Sequence, residues 1–240
     1  MNKQMQMLLG EVFGTFILVF IGAGAVIGFG AGAAPFAFGI GLLAALYAFG
    51  EVSGGHYNPA VTLGLFLDRR VGTAEVVTRW IAQFVGAVLA GLGLLLMTSS
   101  DDVAKAATVP GEGGVRAAIF VEIICTAIFV IVILKTTTGG AFASTTYVAI
   151  GLTLLAVHFA AVPFSGSSVN PARSFATALI GNHWTDFWIY IVGPPIGAIA
   201  GWIIYAVVVK GDTNLRDDFT AMRSDIAGAR GGAGGGGAAS

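Results

Sequence analysis

Two stretches decide how this chain reads: Ser53-Gly54-Gly55-His56-Tyr57-Asn58-Pro59-Ala60-Val61-Thr62 and Ser165-Gly166-Ser167-Ser168-Val169-Asn170-Pro171-Ala172-Arg173-Ser174. Each carries Asn-Pro-Ala behind a small, polar Ser-Gly run. Counting back from each Asn recovers further matches. Glu11 lies 47 residues before Asn58 and Glu122 lies 48 before Asn170, and each Glu is followed four residues later by Thr15 or Thr126. Gly39 and Gly151 both stand 19 residues before their Asn. One tripeptide repeats easily by chance; this many positions with one residue of slippage do not. The chain is an internal duplication whose period is too long for a solenoid unit.

Composition places the duplicated halves in a membrane. Of 240 residues, 56% are hydrophobic and 10% charged, and the mean hydropathy is +0.85. Soluble domains carry about a quarter charged residues, so this chain cannot cover a water-facing surface. Apolar runs near the ~20 residues a helix needs to cross hydrocarbon recur at about 7–29, 36–52, 75–98, 115–135, 144–162 and 186–209. The 36 glycines suit helices that pack closely within lipid. The first run follows Lys3, as a secretory leader would, but it exceeds the usual 7–15-residue apolar region and contains Glu11, which has a repeat partner. The single Cys125 sits inside the fourth span, which excludes a disulfide framework. No basic stripe points to nucleic acid.

Six spans give three per repeat, and an odd number forces the second repeat to enter from the opposite side. The repeats are then related by a two-fold axis in the membrane plane. Basic residues set the orientation. With both termini cytoplasmic, the inner set is Lys3, Arg69, Arg70, Arg79, Lys135, Lys210, Arg216, Arg223 and Arg230, nine residues against Lys105 and Arg116 outside, with Arg173 held apart. The expected organisation is a first repeat over 1–98, an outer connecting loop over 99–114, a second repeat over 115–209 and a cytoplasmic, largely disordered tail over 210–240. Asn is a strong N-cap and Pro favours the first helical position. Asn58–Leu67 and Asn170–Ile180 therefore read as half-helices, too short to span and entered from opposite faces. The Ser-Gly runs before them read as irregular backbone, tolerated at membrane depth only where it lines a watery cavity.

These paired loops resemble the two signature loops of the aquaporin (major intrinsic protein) family, and Glu11-Val12-Phe13-Gly14-Thr15-Phe16 is similar to the opening of that family's first helix. The likeness covers about 7–209. It implies an all-α membrane protein of six transmembrane helices plus two re-entrant half-helices in an inverted 3+3 repeat. It further implies a homotetramer in the plasma membrane, each protomer with its own pore, and Asn58 and Asn170 facing that pore where the half-helices meet. A constriction on the outer side would be lined by Phe38, His158, Ser167 and Arg173. Arg173 and His158 would supply donors to a passing molecule and Phe38 an apolar wall opposite. His158, and Ser174 in place of an Asp after Arg173, are the choices of water-selective members. Tyr190-Ile191 departs from the aromatic-Trp pair common in those members and keeps a glycerol, ammonia or other small-neutral-solute facilitator as the alternative.

Membrane-embedded Glu11 and Glu122 admit two readings. As a proton relay either would suit a coupled transporter; in the family, equivalents of these residues fix the loops, and their matched positions favour that role. His56 reads as another loop-fixing residue. There is no nucleophile–base pair, metal cluster or phosphate loop, so neither an enzyme nor a cofactor is expected. The sequence reading is a passive water channel in a lipid bilayer, excluding protons.

Overall fold

The computed structural model describes residues 1–212 together with 214, 215, 220 and 224. The expectation for 210–240 falls largely outside the described residues. The helices run α1 Lys3–Phe29, α2 Ala34–Ser53, α3 Pro59–Leu67, α4 Thr73–Leu95, α5 Ser100–Ala104, α6 Gly114–Thr136, α7 Thr146–Ser165, α8 Pro171–Ile180 and α9 Trp188–Ile204. Among the described residues, six stretches are long and apolar enough to cross a membrane. All six begin or end within a few residues of the expected limits. The fifth gains a 3-10 turn at Gly140–Thr145, and the sixth closes with a π turn over Tyr205–Val209.

Local chemistry sets the ends. Asn2 caps α1 by accepting from the Met5 N–H at 2.8 Å. Helices α2 and α7 both stop at a glycine in the left-handed region, Gly54 (φ 86°) and Gly166 (φ 68°), a conformation open to a residue without Cβ. The half-helices α3 and α8 each start at Pro behind an extended Asn N-cap. Asn58 Oδ1 accepts from the Ala60 N–H at 2.9 Å, and Asn170 Oδ1 from the Ala172 and Arg173 N–H groups at 3.0 and 3.3 Å. A cap of this kind is worth about 1 kcal/mol.

Packing repeats the duplication in three dimensions. In the first repeat α1 packs against α2 and α4; in the second α6 packs against α7 and α9. The half-helices exchange partners, α3 lying on α9 and α8 on α4. The repeats join where α2 crosses α7 at Gly39 and Gly151. A Cβ on Gly39 would sit 2.9 Å from the Gly151 carbonyl oxygen, and one on Gly151 would sit 3.1 Å from that of Gly39. The backbones touch directly, as small residues allow between helices in lipid. Phe13, Phe36, Ile40, Ile81, Ile124 and Leu152 are exposed on the bundle's outside. So large an apolar exterior is a lipid- or protein-facing surface.

One basic residue of the inner set lies in a helix rather than in a loop. Arg79 sits in the second turn of α4, 6% exposed, and donates to Glu11 Oε1 at 3.0 Å. Counting charge along the chain does not distinguish a snorkelling cation from one paired across helices.

Candidate functional site

The Asn residues meet at the centre and clasp each other's loops. Asn58 Nδ2 donates to the Val169 carbonyl at 2.7 Å, and Asn170 Nδ2 donates to the Tyr57 carbonyl at 2.9 Å. Each amide therefore uses Oδ1 on its own half-helix and one N–H on the opposite loop. Its second N–H stays available beside the cavity that both residues line.

The loops that bring them there are strained in the same way. Tyr57 (φ 48°) and Val169 (φ 54°), each immediately before its Asn, sit in the left-handed region, as does Ser167 (φ 53°). For a β-branched valine this is an outlier, and such residues cost about 1–3 kcal/mol each. The buried glutamates hold them. Glu11 accepts from the His56 and Tyr57 N–H groups at 3.1 and 2.9 Å; Glu122 accepts from those of Ser168 and Val169, both at 2.7 Å. Hydrogen bonds to a carboxylate contribute about 1.5–3 kcal/mol, enough to offset that strain. Neither glutamate lines the central cavity.

That cavity is narrow and walled by Leu18, Leu42, Phe129 and Leu154, with His56, Asn58, Ser168 and Asn170 as polar lining and Phe38, His158 and Arg173 gathered at one end. The Arg173 guanidinium carbon stands 4.7 Å from the Phe38 ring centre, and the Phe38 and His158 rings are 5.0 Å apart. Arg173 Nη1 donates to the Ala106 carbonyl at 2.9 Å, so the loop after α5 holds the guanidinium from behind, while Nε has no partner among the described residues. His158 Nδ1 is 3.0 Å from the Leu154 carbonyl. A carbonyl only accepts, so Nδ1 carries the proton of the neutral ring and the unpartnered Nε2 is an acceptor. The donor expected of His158 is thus reversed, because a helical carbonyl one turn back claims the ring proton. Ser167 is fully buried with an unpartnered hydroxyl but is not among the lining residues; its neighbour Ser168 is.

His56 also belongs to a wider vestibule toward the end of the bundle that carries both termini, lined with Arg70, Glu75, Arg79 and Tyr147. Its Nδ1 lies 3.1 Å from Thr62 Oγ1, whose own proton goes to the Asn58 carbonyl at 3.1 Å. The Thr62 oxygen therefore accepts, His56 too carries its proton on Nδ1, and its Nε2 is an acceptor. At the opposite end the capping box of Ser99 and Asp102 starts α5. A hydrogen bond from Lys105 there holds the Asp102 carboxyl below the usual carboxylate range.

Inverted triple-helix repeats, two half-helices meeting N-terminus to N-terminus and a polar constriction at one end define a membrane pore protein. Residues 1–205 match the family described as Major intrinsic protein, and the chain belongs to that family. It is 38% identical to Aquaporin Z of Photorhabdus laumondii, covering 84% of this chain and 96% of that one. It is 37% identical to Aquaporin Z of Brucella melitensis, covering 81% and 94%. Among solved structures, the aquaglyceroporin from Plasmodium falciparum superposes with a TM-score of 0.77 at 23% identity, covering 86% of this chain and 97% of its own, a likeness of fold.

Proposed function

We propose that the protein is a passive, bidirectional water channel driven by osmotic gradients. The observation that carries this reading is the convergence of Phe38, His158 and Arg173 on one end of a narrow cavity in whose lining Asn58 and Asn170 meet. The likeness to proteins named Aquaporin Z supports it. Water entering the constriction meets donors on Arg173, an acceptor on His158 and the apolar face of Phe38. At the centre it accepts from the free N–H groups of Asn58 and Asn170. Both half-helices point their N-termini there, each equivalent to about half a positive charge. Aquaporin-type pores are the standing example of an arginine and half-helix dipoles barring protons and cations. Ser167 completes the constriction, as the family resemblance implies. The working unit is a homotetramer in the plasma membrane with both termini cytoplasmic, an orientation supported by Arg69, Arg70, Lys135 and Lys210 at the termini end.

Two other readings lose their motive. Ile191, the departure that kept the glycerol alternative, is 39% exposed on the bundle's outside. Glu11 and Glu122, which a coupled transporter would use, spend their oxygens on loop N–H groups away from the cavity. In reconstituted vesicles, stopped-flow light scattering should show fast osmotic shrinkage with weak temperature dependence, slow glycerol re-entry and no response to a pH gradient. Replacing His158 with Ala should raise glycerol entry while water flow persists. Permeability equal to empty vesicles would overturn the channel reading, and unchanged glycerol entry in a folded His158→Ala protein would remove His158 from the bottleneck.

A further inference from the structure

Behind the lining, two serines of the second signature loop join a threonine of the outer loop in a chain of hydroxyls that the motifs themselves do not reveal. Thr108 Oγ1 donates to Ser174 Oγ at 2.8 Å, Ser174 Oγ donates to Ser168 Oγ at 2.6 Å, and Ser168 Oγ donates to the Asn170 carbonyl at 2.9 Å. The carbonyl fixes the direction. It cannot donate, so the Ser168 proton must point to it, and the Ser174 proton must then point to Ser168. Ser168 Oγ also accepts from the Asn170 N–H at 3.2 Å. Its one proton and both lone pairs are therefore spent inside the wall.

All three residues are buried, at 5%, 0% and 2% exposure for Thr108, Ser174 and Ser168, yet Ser168 lines the cavity next to Asn170. A hydroxyl with free valences at that position would bind passing water and slow the file. We propose that Ser174, backed by Thr108, is a specificity-determining positioning residue that saturates the Ser168 hydroxyl and so removes it from hydrogen-bond exchange with the permeating molecules. Water beside Ser168 is then oriented by the asparagine amides rather than by that hydroxyl. The outer loop, through Thr108, takes part in conduction without touching the permeant.

The inference rests on the water-channel reading, and a double-mutant comparison separates the two. Ser174→Ala removes the partner that holds the Ser168 hydroxyl in the wall and frees it to turn toward the pore, which should lower water permeability about two- to tenfold, the range spanned by one neutral hydrogen bond, with a steeper temperature dependence. In a Ser168→Ala background the same Ser174→Ala change should have no further effect, because the hydroxyl it releases is gone. Ser174→Thr keeps the donor and should restore parental flow. Thr108→Val, one step further back, should act in the same direction but more weakly, and it serves the same comparison if Ser174→Ala does not assemble. Equal effects of Ser174→Ala with and without the Ser168 hydroxyl, or parental flow in Ser174→Ala, would overturn the proposal. A parent protein with no water permeability would instead overturn the channel reading.

Discussion

The two glutamates face the same backbone task and solve it with different partners. Glu11 accepts from two loop N–H groups, from Arg79 Nη1 at 3.0 Å and from Gln83 Nε2 at 2.7 Å. Glu122 accepts from two loop N–H groups and the Ser165 hydroxyl at 2.7 Å, all neutral. The end of the preceding helix is tied down in parallel fashion, the Ser53 carbonyl by Arg79 and the Ser165 carbonyl by the Tyr190 hydroxyl at 2.9 Å. Each repeat owns one buried arginine, but on opposite sides of its loop. In the first it stands behind the loop on α4; in the second it stands three residues after Asn170 in the pore, where the first repeat has Val61. Duplication kept the geometric demand of the strained loop and left the donor set and the charge free to diverge.

The sharpest way to break this contrast is Arg79→Met. It leaves Glu11 ionised and buried without its cation, a change that costs about 3–5 kcal/mol. The solubilised protein should melt far earlier on heating; a melting curve that does not move would mean the pair is idle. Glu122→Gln comes next, at about 2–3 kcal/mol, because one acceptor facing loop N–H groups is exchanged for a donor. It should loosen residues 166–170 selectively, read as faster amide hydrogen exchange there than at 54–58. If both loops loosen equally, the repeats do not hold their loops independently.

Arg173→Val gives the second repeat the residue of the first. Water flow should persist while proton leak, followed with an entrapped pH dye, rises about tenfold, equivalent to ~1.4 kcal/mol. Exclusion should be only partly lost because the asparagine and dipole barrier stays, and a variant as proton-tight as the parent would clear Arg173 of the electrostatic role. Smallest is Tyr190→Phe, which removes one neutral bond to the Ser165 carbonyl at about 1 kcal/mol. A loss as large as that of Arg79→Met would show that the two ties are equivalent after all.

The features that follow a local rule were legible in the sequence. Six apolar runs, two Asn-Pro starts and glycines after α2 and α7 each state their structure within a few residues. Phe38, His158 and Arg173 could be placed because their offsets from the two motifs are fixed by family likeness. What escaped depends on contacts between distant residues. Arg79 pairs with Glu11 across 68 residues, and nothing around Arg79 separates it from a lipid-interface cation. The loop after α5 reads as a connection, and only its return onto α8 puts the Ala106 carbonyl against Arg173 and Thr108 against Ser174. The place of Ser168 in the cavity lining is not legible, because adjacent serines in an irregular loop carry no periodicity to say which of them faces inward.

The crossed clasp of Asn58 on the Val169 carbonyl and Asn170 on the Tyr57 carbonyl has a consequence for modularity. Each half of the chain is an incomplete lock whose missing piece is carried by the other half, turned upside down. A polypeptide holding only one half could close that lock only by meeting a second molecule inserted in the opposite sense. Joining both halves in one chain fixes their stoichiometry at one to one and their opposed orientation at synthesis, and it frees each to specialise, one toward anchoring and the other toward discrimination.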